Sequence, residues 1–202
     1  MIRRILTAAG TVAALALLPV AASAQSGLDA RDLTRISNYL NGIDTMQGSF
    51  VQVGPDGDLS DGTFYMRRPG RLRFEYVPPN PGLVVADGTW VGVYDIELCT
   101  LDRVPLGETP IEILLKDRVN LRTEEAVKSI ERAENQLRVT AIDPDDPGAG
   151  SITMIFSDNP LELRQWTVTD EQGLVTTVAL SETVVNVSLD PKLFFIEEPC
   201  RD

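Results

Sequence analysis

Residues 62–76 read GTFYMRRPGRLRFEY, two alternating segments on either side of a basic turn. In the first arm Phe64, Met66 and Arg68 fall on one side and Tyr65 and Arg67 on the other; in the second, Leu72, Phe74 and Tyr76 oppose Arg71, Arg73 and Glu75. Between the arms, Pro69 presets its φ and Gly70 admits a positive one, so the pattern predicts a β-hairpin with one apolar face. Arg68 is the misfit. It shares the side of Phe64 and Met66, where an unpaired cation would cost several kcal/mol or more if buried.

Outward from this hairpin the period stays near two for most of the chain. Strands are expected at 46–53, 63–68, 72–77, 83–86, 89–94 and 98–104, then at 126–133, 136–142, 151–157, 161–169, 175–182 and 184–188, with a terminal piece at 193–196. Turn chemistry separates them, as in Pro55-Asp56-Gly57-Asp58, Asp87-Gly88 and Glu171-Gln172-Gly173. So many sequential strands with short turns predict a large antiparallel sheet, curled or closed. One helix is expected ahead of the strands and one among them. One begins near Asp29 or Asp32 and carries Leu33, Ile36 and Leu40 on one stripe before Gly42. The other is the segment 109–116, where Thr109 and Glu112 form a capping box, Pro110 takes the first helical position, and Ile111, Leu114 and Leu115 share an apolar face. About two turns cannot be stable alone, so that face must pack on the sheet. Spacing does not say whether the helix plugs a sealed barrel or covers a cavity.

Residues 1–24 carry the marks of a secretory signal peptide: Arg3-Arg4, an apolar run, and Ala22-Ser23-Ala24 as the cleavage site. The expectation is an exported, soluble chain with one domain over residues 25–202 and no stable membrane insertion. Its two cysteines, Cys99 and Cys200, are expected to form a disulfide in an oxidising compartment, the alternative being two buried thiols.

Bulk charge and residue types exclude much. The net charge is −12, and more negative once Arg3 and Arg4 are removed, which argues against nucleic acid and against an anionic membrane surface. There is no histidine, so Ser-His-Asp and Cys-His nucleophilic sites and histidine zinc sites are absent. No phosphate-cradling glycine loop occurs. Asp56, Asp58 and Asp61 flank one turn but lack the closing glutamate of a calcium loop, and no metal or cofactor is expected. Glu75 and Asp87 are the only acid-base pair worth considering for a hydrolase, and alternation turns Glu75 away from the apolar face.

Phe64, Met66, Leu72, Phe74, Tyr76, Leu83, Val85 and Trp90 offer more apolar surface than a hairpin requires. Pattern alone leaves open whether they form an ordinary core with Arg68 snorkelling to water, or a cavity with Arg68 at its rim.

The ordered set Phe50-Val51-Gln52, Gly62 through Arg68-Pro69 to Phe74-Glu75-Tyr76, Pro79, Asp87-Gly88, Tyr94-Asp95, Thr109-Pro110, Leu114-Leu115, Asp170-x-x-Gly173 and Phe194 resembles the periplasmic outer-membrane lipoprotein carrier family, LolA. The resemblance implies a mainly β (α+β) fold, an incomplete antiparallel β-barrel or curved half-barrel with a helical lid over a hydrophobic cavity. It further implies a non-enzymatic, monomeric periplasmic chaperone that takes acylated lipoproteins from an inner-membrane lipoprotein-releasing transporter and passes them to an outer-membrane acceptor. By the same resemblance Arg68 is the lid latch, Leu72 and Phe74 line the cavity, and Ile111, Leu114 and Leu115 face it from the lid. An envelope sensor using a similar half-barrel is the alternative within the fold. The cysteine pair is not a general feature of that family and rests on the compartment alone.

Overall fold

A computed structural model describes residues 21–122 and 126–197, with side chains from residue 29 onward. The chain begins with helix α1 (Ala21–Asn41) and continues into β1 (Thr45–Val53), β2 (Leu59–Arg67), β3 (Arg71–Tyr76), β4 (Gly82–Asp87), β5 (Trp90–Asp95) and β6 (Thr100–Pro105). A 3-10 turn (Leu106–Glu108) and helix α2 (Glu112–Leu115) follow. The second run of strands is β7 (Val127–Ala133), β8 (Gln136–Ala141), β9 (Ser151–Ser157), β10 (Glu162–Thr169) and β11 (Val175–Val185), and the described chain closes on a 3-10 turn (Pro191–Phe194).

All 11 strands form one antiparallel sheet in the order β6-β5-β4-β3-β2-β1-β11-β10-β9-β8-β7. The two runs join where β1 pairs with β11, so β6 and β7 remain edges and the barrel does not close. Directly opposed antiparallel residues share a face, so the register traces one continuous inner surface. Met46 lies opposite Met66, Met66 opposite Leu72 and Leu72 opposite Ala86 in the first half. Phe50 opposes Leu180, and Val178, Trp166, Met154 and Val139 continue the line through the second half. These residues, with Ile36 and Leu40 of α1, form one buried core.

Three local expectations change. The first helix is not capped at Asp29 or Asp32 but runs from Ala21; Asp32 instead receives Arg35 at 3.1 Å and also bonds Arg132. Residues 175–188 do not hold two strands: β11 passes through Glu182 at φ 52°, opposite a register shift between Gln47 and Ser49, so the polar residues there mark a bulge. Residues 193–196 are not a strand, because Pro191 follows Asp190, whose Oδ1 accepts from Lys192 N at 2.9 Å and starts a 3-10 turn.

Candidate functional site beneath the lid

The inner face is most aromatic where β1, β2 and β3 meet β10. Phe50 stacks edge-on against Phe74 at 4.7 Å and against Tyr76 at 5.2 Å. Trp166 crosses from the second half to within 6.1 Å of Phe74 and 6.4 Å of Phe64. Gly62, between Phe50 and Tyr76 in register, makes this packing possible: a Cβ there would lie 1.9 Å from Glu75 O and 2.9 Å from the Phe50 ring. Tyr76 is only partly buried, and its hydroxyl donates to Gln52 Oε1 at 3.0 Å, while burial raises its pKa. Beyond the Tyr76–Gln52 pair and the Trp166 indole N–H, the buried side chains around these rings, Met46, Met66, Leu72 and Met154 among them, are hydrocarbon and thioether.

The lid is the segment from Leu106 to Leu121. Ile113, Leu114, Leu115, Val119 and Leu121 are all buried and belong to the same core as Phe64, Met66, Leu72 and Phe74; Ile111 is partly buried against it. The sequence pattern found Ile111, Leu114 and Leu115 and missed Ile113, Val119 and Leu121, because regular helix covers only four residues and the rest follows no period. The capping box does not form. Thr109 Oγ1 donates back to Leu106 O at 2.6 Å, closing the 3-10 turn, and Ile111 takes the N-cap position without a side-chain bond.

Arg68 follows the last residue of β2 and reaches two helix ends at once. Its Nε donates to Lys116 O at 2.9 Å, and its terminal nitrogens donate to Lys116 O, Leu40 O, Asp117 O and Asn41 Oδ1. Leu40 and Lys116 stand at the C-terminal ends of α1 and α2, where backbone carbonyls lack helical partners and favour a cation. Burial lowers the guanidinium pKa, and Asp117 and Asp44 oppose that shift. The turn adds a backbone bond, Gly70 N to Leu115 O at 2.9 Å. Gly70 has φ 74°, and a Cβ there would meet Gly88 Cα at 2.7 Å.

Further ties hold the lid. Asn41 Nδ2 donates to Val119 O and Asn41 Oδ1 accepts from Val119 N, while Ser37 Oγ accepts from Leu121 N. Lys116 Nζ meets Asp143 Oδ2 at 2.9 Å and Glu112 Oε2 at 3.6 Å, linking the lid to the β8–β9 loop. The Lys116 bond holds the Asp143 carboxyl below its usual range, whereas burial pushes that of Glu112 up. Helix α1 is anchored separately: Asp158 binds Arg35 at 2.8 Å and Arg132 at 2.7 Å, and both arginines also bind Asp32.

Leu83, Val85 and Trp90, expected on the cavity face, lie on the opposite one. Val85 is opposite Arg73 and Gly92, Leu83 is opposite Glu75 and Tyr94, and Trp90 alternates in step with Gly92 and Tyr94. The strand GLVVAD has no polar side chain between its apolar ones, so periodicity could not choose its face; pairing with β3 does. Val84, Ala86 and Val91 take the inner positions. Val85 is nonetheless fully buried, because the C-terminal 3-10 turn crosses the outer face: Phe194 is 2% exposed, Arg73 donates to Leu193 O at 3.1 Å, and Tyr94 Oη donates to Glu197 O at 2.8 Å. Trp90 is 43% exposed beside Ile196.

The carboxylates weighed as acid and base are otherwise engaged. Glu75 Oε1 accepts from Arg73 Nε at 2.6 Å on the outer face, and Asp87 Oδ1 accepts from Thr89 N and Trp90 N. Among the described residues no cluster of acidic or sulfur side chains is arranged for a metal, and no helix is long and apolar enough to cross a membrane. Cys99 sits at φ 55° in the β5–β6 turn; Cys200 lies outside the described residues, as does the expected signal segment up to residue 20.

The family model described as outer membrane lipoprotein carrier protein LolA matches residues 41–197. An outer-membrane lipoprotein carrier protein of Halorhodospira halophila is 28% identical, the alignment covering 94% of this chain and 90% of that one. One of Methylococcus capsulatus is 26% identical over 82% of this chain and 83% of the other. Among solved structures, a LolA superfamily protein from Nitrosomonas europaea superposes with a TM-score of 0.45 at 12% identity, covering 81% of this chain and 97% of that one.

Proposed function

This chain belongs to the outer membrane lipoprotein carrier protein family, LolA, and from that premise we propose that it is a periplasmic chaperone that carries acylated lipoproteins from the inner to the outer membrane. It receives them from an inner-membrane transporter, releases them to an outer-membrane acceptor, works as a monomer and performs no covalent chemistry. Residues 1–24 direct export. The acyl chains lie against Phe64, Met66, Leu72, Phe74 and Tyr76, taking the places that Ile111, Leu114 and Leu115 occupy when the lid is shut.

The carrying observation is the way the lid is held. Its apolar side chains complete a core, yet Arg68 fastens it through hydrogen bonds to backbone carbonyls, which water can replace when the lid lifts. Hiding an acyl chain of about fifteen CH₂ groups is worth roughly 12 kcal/mol at about 0.8 kcal/mol per group. Re-exposing lid leucines, at about 1.5–3 kcal/mol each, offsets part of that gain and keeps release possible.

The test is isolation from envelopes under mild conditions. Acylated lipoproteins should accompany the wild-type chain and be lost from Leu72→Glu; a wild-type chain that retains none would sink the proposal.

A further inference from the structure

The inner apolar face reaches water at one side of the lid. From Leu72 the register runs through Ala86 and Val91 to Val104 on β6, the edge strand, where Val104 is 43% exposed. Val104 shares a groove of about 430 Å³ with Val168 of β10, an inner-face residue packed on the core, and with Pro110 of the lid. The floor is therefore an extension of the covered surface. Its rim is different: Glu108, Asp146 and Glu171 are exposed carboxylates from three separate segments, Asp170 adds a fourth whose Oδ1 is engaged by Gln172 N and Leu174 N, and among the described residues no lysine or arginine lines the groove.

We infer that this groove is the threshold by which acyl chains pass under the lid, and that its carboxylates select acyl cargo with a cationic or neutral head over anionic phospholipid. This rests on the carrier reading and adds to it where cargo enters and which lipids are refused. An apolar floor draws hydrocarbon regardless of its head group, so discrimination must come from the rim. Carboxylates beside a low-dielectric surface focus a negative potential at the mouth. A phosphodiester drawn in by its own acyl chains meets that field within about one Debye length, roughly 8 Å at physiological salt, before its chains are buried. A lysine-bearing peptide head is attracted by the same field. The chain's net charge of −12 acts in the same sense at longer range.

The test uses the full mature chain and three probes: a triacylated lipopeptide with a lysine-rich head, the same lipopeptide with glutamates, and phosphatidylglycerol. At low salt the lysine head should bind about tenfold more tightly than the glutamate head, and the preference should shrink toward unity as salt rises. The triple variant Glu108→Gln, Asp146→Asn, Glu171→Gln should lose most of the preference and gain phosphatidylglycerol binding. Val104→Glu, on an already exposed side chain, should slow loading several-fold with an unchanged melting temperature. Wild-type protein that binds both lipopeptides equally, or a triple variant that keeps the preference, overturns the selective rim while leaving the carrier reading intact. Unchanged loading by Val104→Glu overturns the threshold. If wild-type protein binds no acylated probe at all, the carrier reading fails and this inference with it.

Discussion

Asn41 grips Val119 by both ends of its side-chain amide: Nδ2 donates to Val119 O at 2.8 Å, and Oδ1 accepts from Val119 N at 2.9 Å. A single side chain thus pairs with the lid backbone as a neighbouring strand would. The same Oδ1 accepts from Arg68 at 3.3 Å, so helix α1, the lid and the β2–β3 turn meet at one atom. Replacing Asn41 with Ala removes all three bonds and should weaken lid closure by about 1–3 kcal/mol. Hydrogen exchange at Val119 should accelerate on the order of tenfold or more, while amides of β2 and β3 stay protected. Equal exchange in variant and wild type would show that the clasp contributes nothing.

Arg68 differs from Asn41 in spanning two helix ends. Leu has no donor and leaves the Lys116 carbonyl to water and the Leu40 carbonyl with Ile43 N alone; Lys keeps the charge but cannot reproduce the planar fork. Arg68→Leu should accelerate exchange across residues 113–121 more than Arg68→Lys does, and both should raise the rate of acyl-probe uptake. Uptake rates that do not follow lid exchange across the series would separate Arg68 from gating.

Acid should loosen the attachment of α1. The bond from Arg35, followed by its charge and the contribution of Arg132, holds the Asp158 carboxyl below its ordinary value against the opposing effect of burial. A depressed folded-state pKa means the unfolded chain binds more protons, so this stability is present above the ordinary aspartate value near 3.9 and is lost as pH falls toward the folded one. Asp143, lowered by Lys116, acts in the same direction. Glu112, raised by burial, acts oppositely: its contribution is complete at low pH and declines as pH rises through its elevated value. Melting temperatures should show Asp158→Asn below wild type at pH 7, with the gap closing below about pH 4. A gap that persists into strong acid would deny Asp158 this role.

The hairpin from Gly62 to Tyr76 was legible because charged residues alternate with apolar ones on both arms, so period and face are fixed together. In β4 the period survives but the face does not, since Leu83, Val84, Val85 and Ala86 are all apolar. Only pairing with β3 resolves it, and the terminal 3-10 turn, from the far end of the chain, explains why both faces of β4 are apolar. The lid was legible as an apolar segment and not as a clasp. Asn41 and Ser37 meet their lid partners 78 and 84 residues away, and nothing local to a helix terminus distinguishes a clasping asparagine from a solvated one. Trp166 likewise joins the aromatic cluster across the β1–β11 junction, a distance at which periodicity is silent.

The two faces of β3 and β4 should separate stability from cargo binding. Val85 is fully buried under the terminal turn and opposes Arg73, whereas Leu72 opposes Ala86 beneath the lid. Val85→Ala should cost about 1–3 kcal/mol in denaturant unfolding and leave acyl-probe affinity unchanged once the protein is folded. Leu72→Ala should cost a similar amount and also weaken the probe. Equal loss of affinity in both variants would mean that acyl chains do not distinguish the inner face from the outer.

The terminal turn also sets the terms for Cys99 and Cys200. Tyr94 holds Glu197 O at 2.8 Å against β5, and Cys99 lies in the turn that follows β5. The residues between Glu197 and Cys200, at about 3.3 Å each, can span on the order of 10 Å. A bridge there would close a loop of about a hundred residues and pin the terminal turn across Val85, adding roughly 4 to 5 kcal/mol in the chain-entropy model, less any strain. Exported protein denatured without reductant should therefore expose no free thiol. Cys99→Ser and Cys200→Ser should lower the melting temperature equally, the double variant no further, because each removes the same link. Two titratable thiols in the exported protein, or additive losses, would leave the terminal turn held by the packing of Phe194 and the bonds of Arg73 and Tyr94 alone.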